Sequence, residues 1–120
     1  MAILTGTASW TDKTLIACGR FYPPEAKSAE ARLRHYASVF PTVEVDSSYY
    51  AMPSATNAAL WVERTPQDFV FDVKAFRLFT GHQTNVDVLH QDIQAALGAT
   101  SKQLYYKDVP QEVREELWRR

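Results

Sequence analysis

The chain has a single cysteine, Cys18, among 120 residues. That excludes an internal disulfide and fits a reducing, cytoplasmic setting. A lone Cys is more often a small apolar filler than a catalytic thiol. Excess charge is also missing: 13 Lys and Arg face 14 Asp and Glu, for a formal net charge of −1. No general attraction to nucleic acid or to an anionic membrane follows from that balance. No apolar run is long enough to span a bilayer, and no basic segment followed by an apolar one marks the N-terminus as a signal peptide. Repeats, low-complexity tracts and interdomain linkers are absent as well. What is present is a 46% hydrophobic composition, enough for one folded domain with a core of its own.

Three stretches read as strands at period two. Residues 3–9 carry Thr5, Thr7 and Ser9 on one face. Residues 42–48 carry Glu44, Asp46 and Ser48 on one face and Val43 and Val45 on the other. Residues 69–75 carry Asp72 and Lys74 on one face and Phe69, Phe71 and Val73 on the other. Two carboxylates on one strand face repel each other unless a cation, water or a metal compensates, and Lys74 is the cation offered. The expectation is a buried ion pair of Lys74 with Glu44 or Asp46.

Helices are expected between and after these strands. Residues 28–40 place Leu33, Tyr36, Ala37 and Phe40 on one stripe, with Ser28 as N-cap, Glu30 in the first turn and Pro41 as the stop. Residues 55–64 place Ala58, Trp61 and Val62 on a buried face before Thr65-Pro66. Residues 12–20 read as an irregular crossing loop, and Phe21-Tyr22-Pro23-Pro24 as a rigid structural loop. After Ala75 the strand signals stop. A helix is expected from Asn85 as N-cap to Gly98, with His90 on its apolar stripe, then a short helix at 101–107 and a last helix at 110–120. His35 is expected to be solvated, and Trp61 and Trp118 to be core or interface aromatics.

The order strand–helix–strand–helix–strand argues for parallel βαβ units. Parallel sheets covered on both faces have continuous apolar strands. Polar residues at alternate positions fit a barrel mouth better, or a sheet face left open. The fold class expected is therefore α/β, with parallel βα units followed by helices. Residues 1–120 form one partial domain in this reading, with 83–120 as a helical insertion or extension, the chain being the front part of something longer.

Several motifs in fixed order carry a family resemblance: Gly6-Thr7-Ala8-Ser9-Trp10, Phe21-Tyr22-Pro23-Pro24, Tyr36-Ala37-Ser38-Val39-Phe40, Val43-Glu44-Val45-Asp46-Ser47-Ser48-Tyr49-Tyr50, Pro53, Trp61, Thr65-Pro66 and Phe71-Asp72-Val73-Lys74-Ala75. Over roughly residues 3–82 the chain resembles the N-terminal part of the YecE-like family, the domain of unknown function numbered 72. The resemblance implies a TIM barrel of roughly 250 residues, of which this chain would hold about the first three strands. Asp46 is a departure, since the family commonly has Asn there. The resemblance implies no assigned activity. Its likeness in fold to sugar isomerases and metal-dependent apurinic endonucleases is analogy only.

In a TIM barrel the site lies at the C-terminal ends of the strands. That singles out Glu44, Asp46 and Lys74 as catalytic candidates, the carboxylates for acid–base work and Lys74 as an electrostatic clamp. Ser9, Trp10, Ser48, Tyr49, Tyr50 and His82 are candidates for binding substrate, the aromatic rings by stacking on a ligand ring. Glu44, Asp46 and His82 carry donors suited to Mg, Mn or Zn. They lack a close ligand spacing such as His-Glu-x-x-His, so no metal ligand is assigned; a divalent metal is conceivable and the cofactor stays unspecified. The function expected is an enzyme on a small polar substrate bearing phosphate or sugar. The alternatives are a metal-dependent phosphodiesterase acting on nucleic acid, which the charge balance does not favour, and a non-catalytic module that associates with itself through exposed sheet edges. No membrane partner is expected.

Overall fold

A computed structural model describes residues 1–98 and 102–120. Its architecture is mixed α/β, and it divides into two compact units. One comprises Met1–Asp46 with Pro53–Lys74, the other Ser47–Met52 with Ala75–Arg120.

The first unit is built on two parallel strands, β1 (Thr42–Val45) and β2 (Val70–Val73). They pair in the register Thr42↔Val70, Val43↔Phe71, Glu44↔Asp72 and Val45↔Val73. In β1 the alternation read in the sequence holds, with Val43 and Val45 buried and Thr42 and Glu44 half-buried. In β2 it does not, since Phe71 is half-buried but Val73, placed on the same apolar face, is exposed. The strand expected at 3–9 is reduced to one parallel bridge, Ala8 to Glu44. Ser9 donates its N–H to the Glu44 carbonyl at 2.9 Å, and Glu44 donates to Thr7 at 3.1 Å. Pairing stops there because Ser9 sits at φ 71°, a left-handed conformation no strand continues through. Gly6 is required nearby. A Cβ on it would lie 2.1 Å from the Thr42 carbonyl oxygen.

Helix α2 (Ala29–Val39) starts at Ser28, whose hydroxyl accepts the Ala31 N–H at 3.0 Å, and ends at Phe40 in extended backbone before Pro41. Its Leu33 and Tyr36 are buried. Helix α4 (Ala55–Glu63) is capped by Ser54 through the Asn57 N–H. Trp61 packs inward from it, but Val62 is 69% exposed, so Val62 is not on the buried face as expected. The stretch expected to be an irregular loop contains helix α1 (Lys13–Ala17), because the Asp12 carboxylate accepts the N–H groups of Thr14 and Leu15 and so satisfies the first turn. Around Tyr36, Val43 and Val45 gather Trp10, Phe21, Tyr22, Phe40, Trp61, Phe69 and Phe71. Phe21 lies stacked against Phe40 at 5.7 Å and edge-on to His35 at 5.2 Å. The Phe-Tyr-Pro-Pro loop is thus a packing element, and His35 is half-buried rather than solvated.

The second unit closes around Phe76, Leu78, Leu89, Ile93, Val109, Val113 and Leu117. It contains α3 (Ser47–Tyr50), so the strand expected to run to residue 48 ends at Val45 and Ser48 does not share the Glu44 face. Ser47 starts a helical turn instead, its carbonyl accepting the Ala51 N–H at 3.2 Å. Residues 83–120 are not wholly helical. Strands β3 (Thr84–Asn85) and β4 (Gln103–Leu104) pair antiparallel, and Val86 donates to the Lys102 carbonyl at 2.9 Å. That pairing keeps Asn85 from capping the expected helix. Helix α5 covers only Gln91–Leu97, with His90 at its N-cap position and Gly98 at φ 57° as its C-cap. Of the short helix expected at 101–107, Ser101 lies outside the described residues, Gln103–Leu104 is β4, and only Tyr106–Asp108 makes a 3-10 turn. Helix α6 (Gln111–Arg119) lies where the sequence places it. Its Trp118 is 63% exposed, not core, and stacks on Phe79 at 4.0 Å.

Candidate functional site

The parallel register fixes a polar cluster at the ends of β1 and β2. Glu44 lies within β1, Asp46 one residue past its end and Lys74 one residue past β2, where the Lys74 N–H donates to the Val45 carbonyl at 3.3 Å. That bond aims the Lys74 side chain across the carboxylates. Its Nζ lies 3.2 Å from Asp46 Oδ1 and 4.0 Å from Glu44 Oε1. The three side chains are 50%, 41% and 44% exposed for Lys74, Asp46 and Glu44. The ion pair is therefore open to solvent rather than buried as expected, and screening limits its contribution to stability.

Electrostatics separate the two acids. The hydrogen bond with Asp46, followed by its negative charge, raises Glu44 above its ordinary value; Asp72 adds to this and Lys74 opposes it. The same hydrogen bond, with that from Lys74, holds Asp46 below its ordinary value. Glu44 is thus the acid that keeps its proton longer, and Asp46 is the carboxylate that receives its hydrogen bond. Two like groups pushed apart in this way are the usual arrangement of an acid and a base. Beside them is a hollow of about 210 Å³ lined by Gly6, Thr7, Ala8, Thr42, Glu44 and Asp72. Larger hollows lie away from the pair. One of about 310 Å³ is found between the end of α2 and Phe69, and one of about 460 Å³ beside Asp12, Leu15 and the exposed Cys18.

Ser9 and Trp10 belong to the same unit but are engaged structurally. The Ser9 hydroxyl accepts the Thr11 N–H at 3.1 Å, and the Trp10 ring meets Trp61 at 5.5 Å and Phe71 at 6.4 Å, edge to face.

The remaining candidates fall in the second unit. Ser48 is buried. Tyr49 is half-buried, with Tyr50 at 5.1 Å and His82 at 5.8 Å, both edge-on to its ring. Tyr50 is 63% exposed. Arg77, which sequence reasoning does not single out, completes this group: its guanidinium carbon stands 5.5 Å from the centre of the Tyr49 ring. Its one signal is a charge set between Phe76 and Leu78.

Among the described residues no three His, Cys, Asp or Glu side chains converge as a metal-ligand set. Among the same residues no helix is long and apolar enough to cross a membrane.

These features define an α/β protein with a carboxylate–lysine cluster at the ends of two parallel strands. The chain belongs to the family described as Protein of unknown function DUF72, whose model matches residues 4–114. It is similar to the UPF0759 protein YunF of Bacillus subtilis (strain 168), with 43% identity over 81 residues, which cover 68% of this chain and 27% of that relative. The match thus spans about a quarter of the relative's length. No solved structure matches the chain significantly.

Proposed function

We propose that the chain supplies the first strands of a TIM-barrel-type enzyme that performs acid–base chemistry on a small polar substrate bearing phosphate or sugar. The observation that carries this reading is the Glu44–Asp46–Lys74 cluster. Glu44, raised above its ordinary value, is the proton donor; Asp46, held low, is the acceptor. Lys74 Nζ, 3.2 Å from Asp46, keeps the carboxylate ionised and offers a fixed positive charge to an oxyanion developing on substrate. Half-exposed side chains leave substrate access to all three groups.

The test is a panel of sugars and sugar phosphates titrated into the chain while backbone resonances are followed by NMR. Ligand-dependent shifts at Glu44, Asp46 and Lys74 are expected, lost in Glu44→Gln and Lys74→Ala with the melting temperature nearly unchanged. Binding that survives both substitutions overturns the reading.

A second reading rests on a separate observation. Strand β2 has β1 as its only strand neighbour among the described residues, and Val70 and Val73 on it are 43% and 54% exposed. Open strand edges template further pairing, so the chain associates with a second copy through β2. Sedimentation giving a monomer at high concentration removes this reading.

A further inference from the structure

The parallel register sets Asp72 of β2 directly beside Glu44 of β1. Like charges facing each other on neighbouring strands cost stability, so the fold alone does not call for this pair. The hollow of about 210 Å³ lies against both acids, and its walls are Gly6, Thr7, Ala8, Thr42, Glu44 and Asp72. Every polar side chain on those walls presents oxygen. The Thr7 hydroxyl donates to the Ser9 carbonyl at 3.2 Å and to the Tyr36 oxygen at 2.9 Å, and the Thr42 hydroxyl donates to the Val70 carbonyl at 3.0 Å. Their protons are used inside the fold, and lone pairs are what they still offer a ligand. Glu44 and Asp72 are carboxylates, acceptors when ionised. No Lys, Arg or His lines the hollow. Lys74, the nearby cation, lies against Asp46 at 3.2 Å and Glu44 at 4.0 Å.

A wall of acceptors selects its occupant. A phosphoryl group is held by N–H donors and positive charge, and these side chains supply neither. Ring hydroxyls are donors that bring no charge against the acids. Glu44 and Asp72 stand on adjacent strands, about 4.8 Å apart, within reach of two hydroxyls of one ring. Size limits the ligand as well. The hollow is smaller than the roughly 300–1,000 Å³ of drug-sized sites; at about 30 Å³ for a water it holds roughly seven. That suits one sugar ring and not a chain of them. From this we infer that the hollow is the sugar subsite of the Glu44 site and takes one unphosphorylated monosaccharide, whose hydroxyls donate to Glu44, Asp72 and the Thr7 and Thr42 oxygens. The inference rests on the acid–base reading above and narrows its substrate: of sugar and phosphate, sugar is bound here and phosphate is repelled.

The test titrates glucose and ribose into the chain, each beside its own ester, glucose 6-phosphate and ribose 5-phosphate. Backbone NMR follows Thr7, Ala8, Thr42 and Asp72. Saturable shifts at these residues are expected with at least one of the two sugars, and its ester should bind about tenfold more weakly or worse, through repulsion by the acids. Asp72→Asn keeps the shape and removes one charge. It should weaken the sugar and narrow the gap between sugar and ester. An ester that binds as tightly as its sugar, a gap unchanged in Asp72→Asn, or no binding by either sugar overturns the subsite. Glucosamine binding where glucose and ribose do not also overturns it, because the acids then read a cation. If Asp72→Asn fails to fold, the wild-type comparison of sugar with ester decides. The two readings fail differently. Sugar binding that survives Glu44→Gln and Lys74→Ala but falls in Asp72→Asn overturns the acid–base reading and keeps the subsite. Tighter binding of the ester, lost in Glu44→Gln and Lys74→Ala, overturns the subsite and keeps the acid–base reading.

Discussion

Tyr36 and Thr7 are joined twice. The Tyr36 hydroxyl oxygen accepts the Thr7 N–H at 2.7 Å and the Thr7 hydroxyl at 2.9 Å, and it lies 3.1 Å from the Thr42 carbonyl to which it donates. Tyr36 is fully buried, so one phenol ties helix α2, strand β1 and the Gly6-to-Trp10 stretch together. Tyr36→Phe removes that oxygen from the Thr7 N–H and the Thr42 carbonyl, while the Thr7 hydroxyl keeps the Ser9 carbonyl at 3.2 Å as an acceptor. A loss of about 1–3 kcal/mol is expected, read as a lower denaturant midpoint with an unchanged slope. An unchanged midpoint would mean that water replaces the hydroxyl.

Gly6 leaves no room for a side chain. A Cβ there would stand 2.1 Å from the Thr42 oxygen, so Gly6→Ala forces the backbone off β1. A loss on the order of 1–3 kcal/mol or more is expected. Gly19→Ala is the control. Nothing lies within 4 Å of a Cβ at that position, although φ is +63°, so the smaller loss of a left-handed residue is expected. Melts of the two variants should rank in that order.

Tyr22 governs the alkaline limit. Burial, and then the neighbouring Tyr36, push its phenol up to about 12, and its hydroxyl donates to the Trp10 carbonyl. A raised value means that the neutral phenol is favoured in the folded state. Its contribution is complete below the ordinary value near 10 and is lost as pH rises through the folded value. Ultraviolet titration should show one phenol ionising late, with stability falling between about pH 10 and 12 in the wild type and less steeply in Tyr22→Phe.

The two acids of the cluster shift in opposite directions, with opposite consequences for stability. Asp46 is held low, so its contribution is present above its ordinary value and lost as pH falls through the folded one. Glu44 is raised, so its contribution is present at low pH and lost as pH rises through its folded value. The effects oppose each other at half-exposed groups, and the melt should change little across this range. Carbonyl NMR should nevertheless resolve Glu44 titrating above Asp46. Lys74→Ala should move both upward, since Lys74 lowers both. Unmoved titrations would show that the lysine does not face the acids in solution.

How far the sequence led depended on the length of each signal. Helix α2 was legible because Ser28, a four-residue stripe and Pro41 agree. The Asp46–Lys74 contact was legible because period-two alternation puts both on one face and the parallel register aligns the two strands. The two-residue strands β3 and β4 are too short to alternate, and their pairing displaced the helix expected from Asn85. Helix α1 rests on one capping carboxylate, Asp12, within five helical residues. Arg77 belongs to no periodic element, so only the folded chain reveals that its Nε lacks an acceptor.

The order in which the chain visits the two units has a practical side. It passes from the first to the second after Asp46, returns at Pro53 and leaves again after Lys74. Neither unit is one continuous stretch of sequence. A gene cut after Lys74 would strip from Ala75–Arg120 the hexapeptide Ser47–Met52, which carries the Tyr49 carbonyl that holds the Arg77 amide. Recombination that treats residues 75–120 as an exchangeable cassette would therefore move a unit without one of its parts. Tolerated exchange requires that both segments travel together.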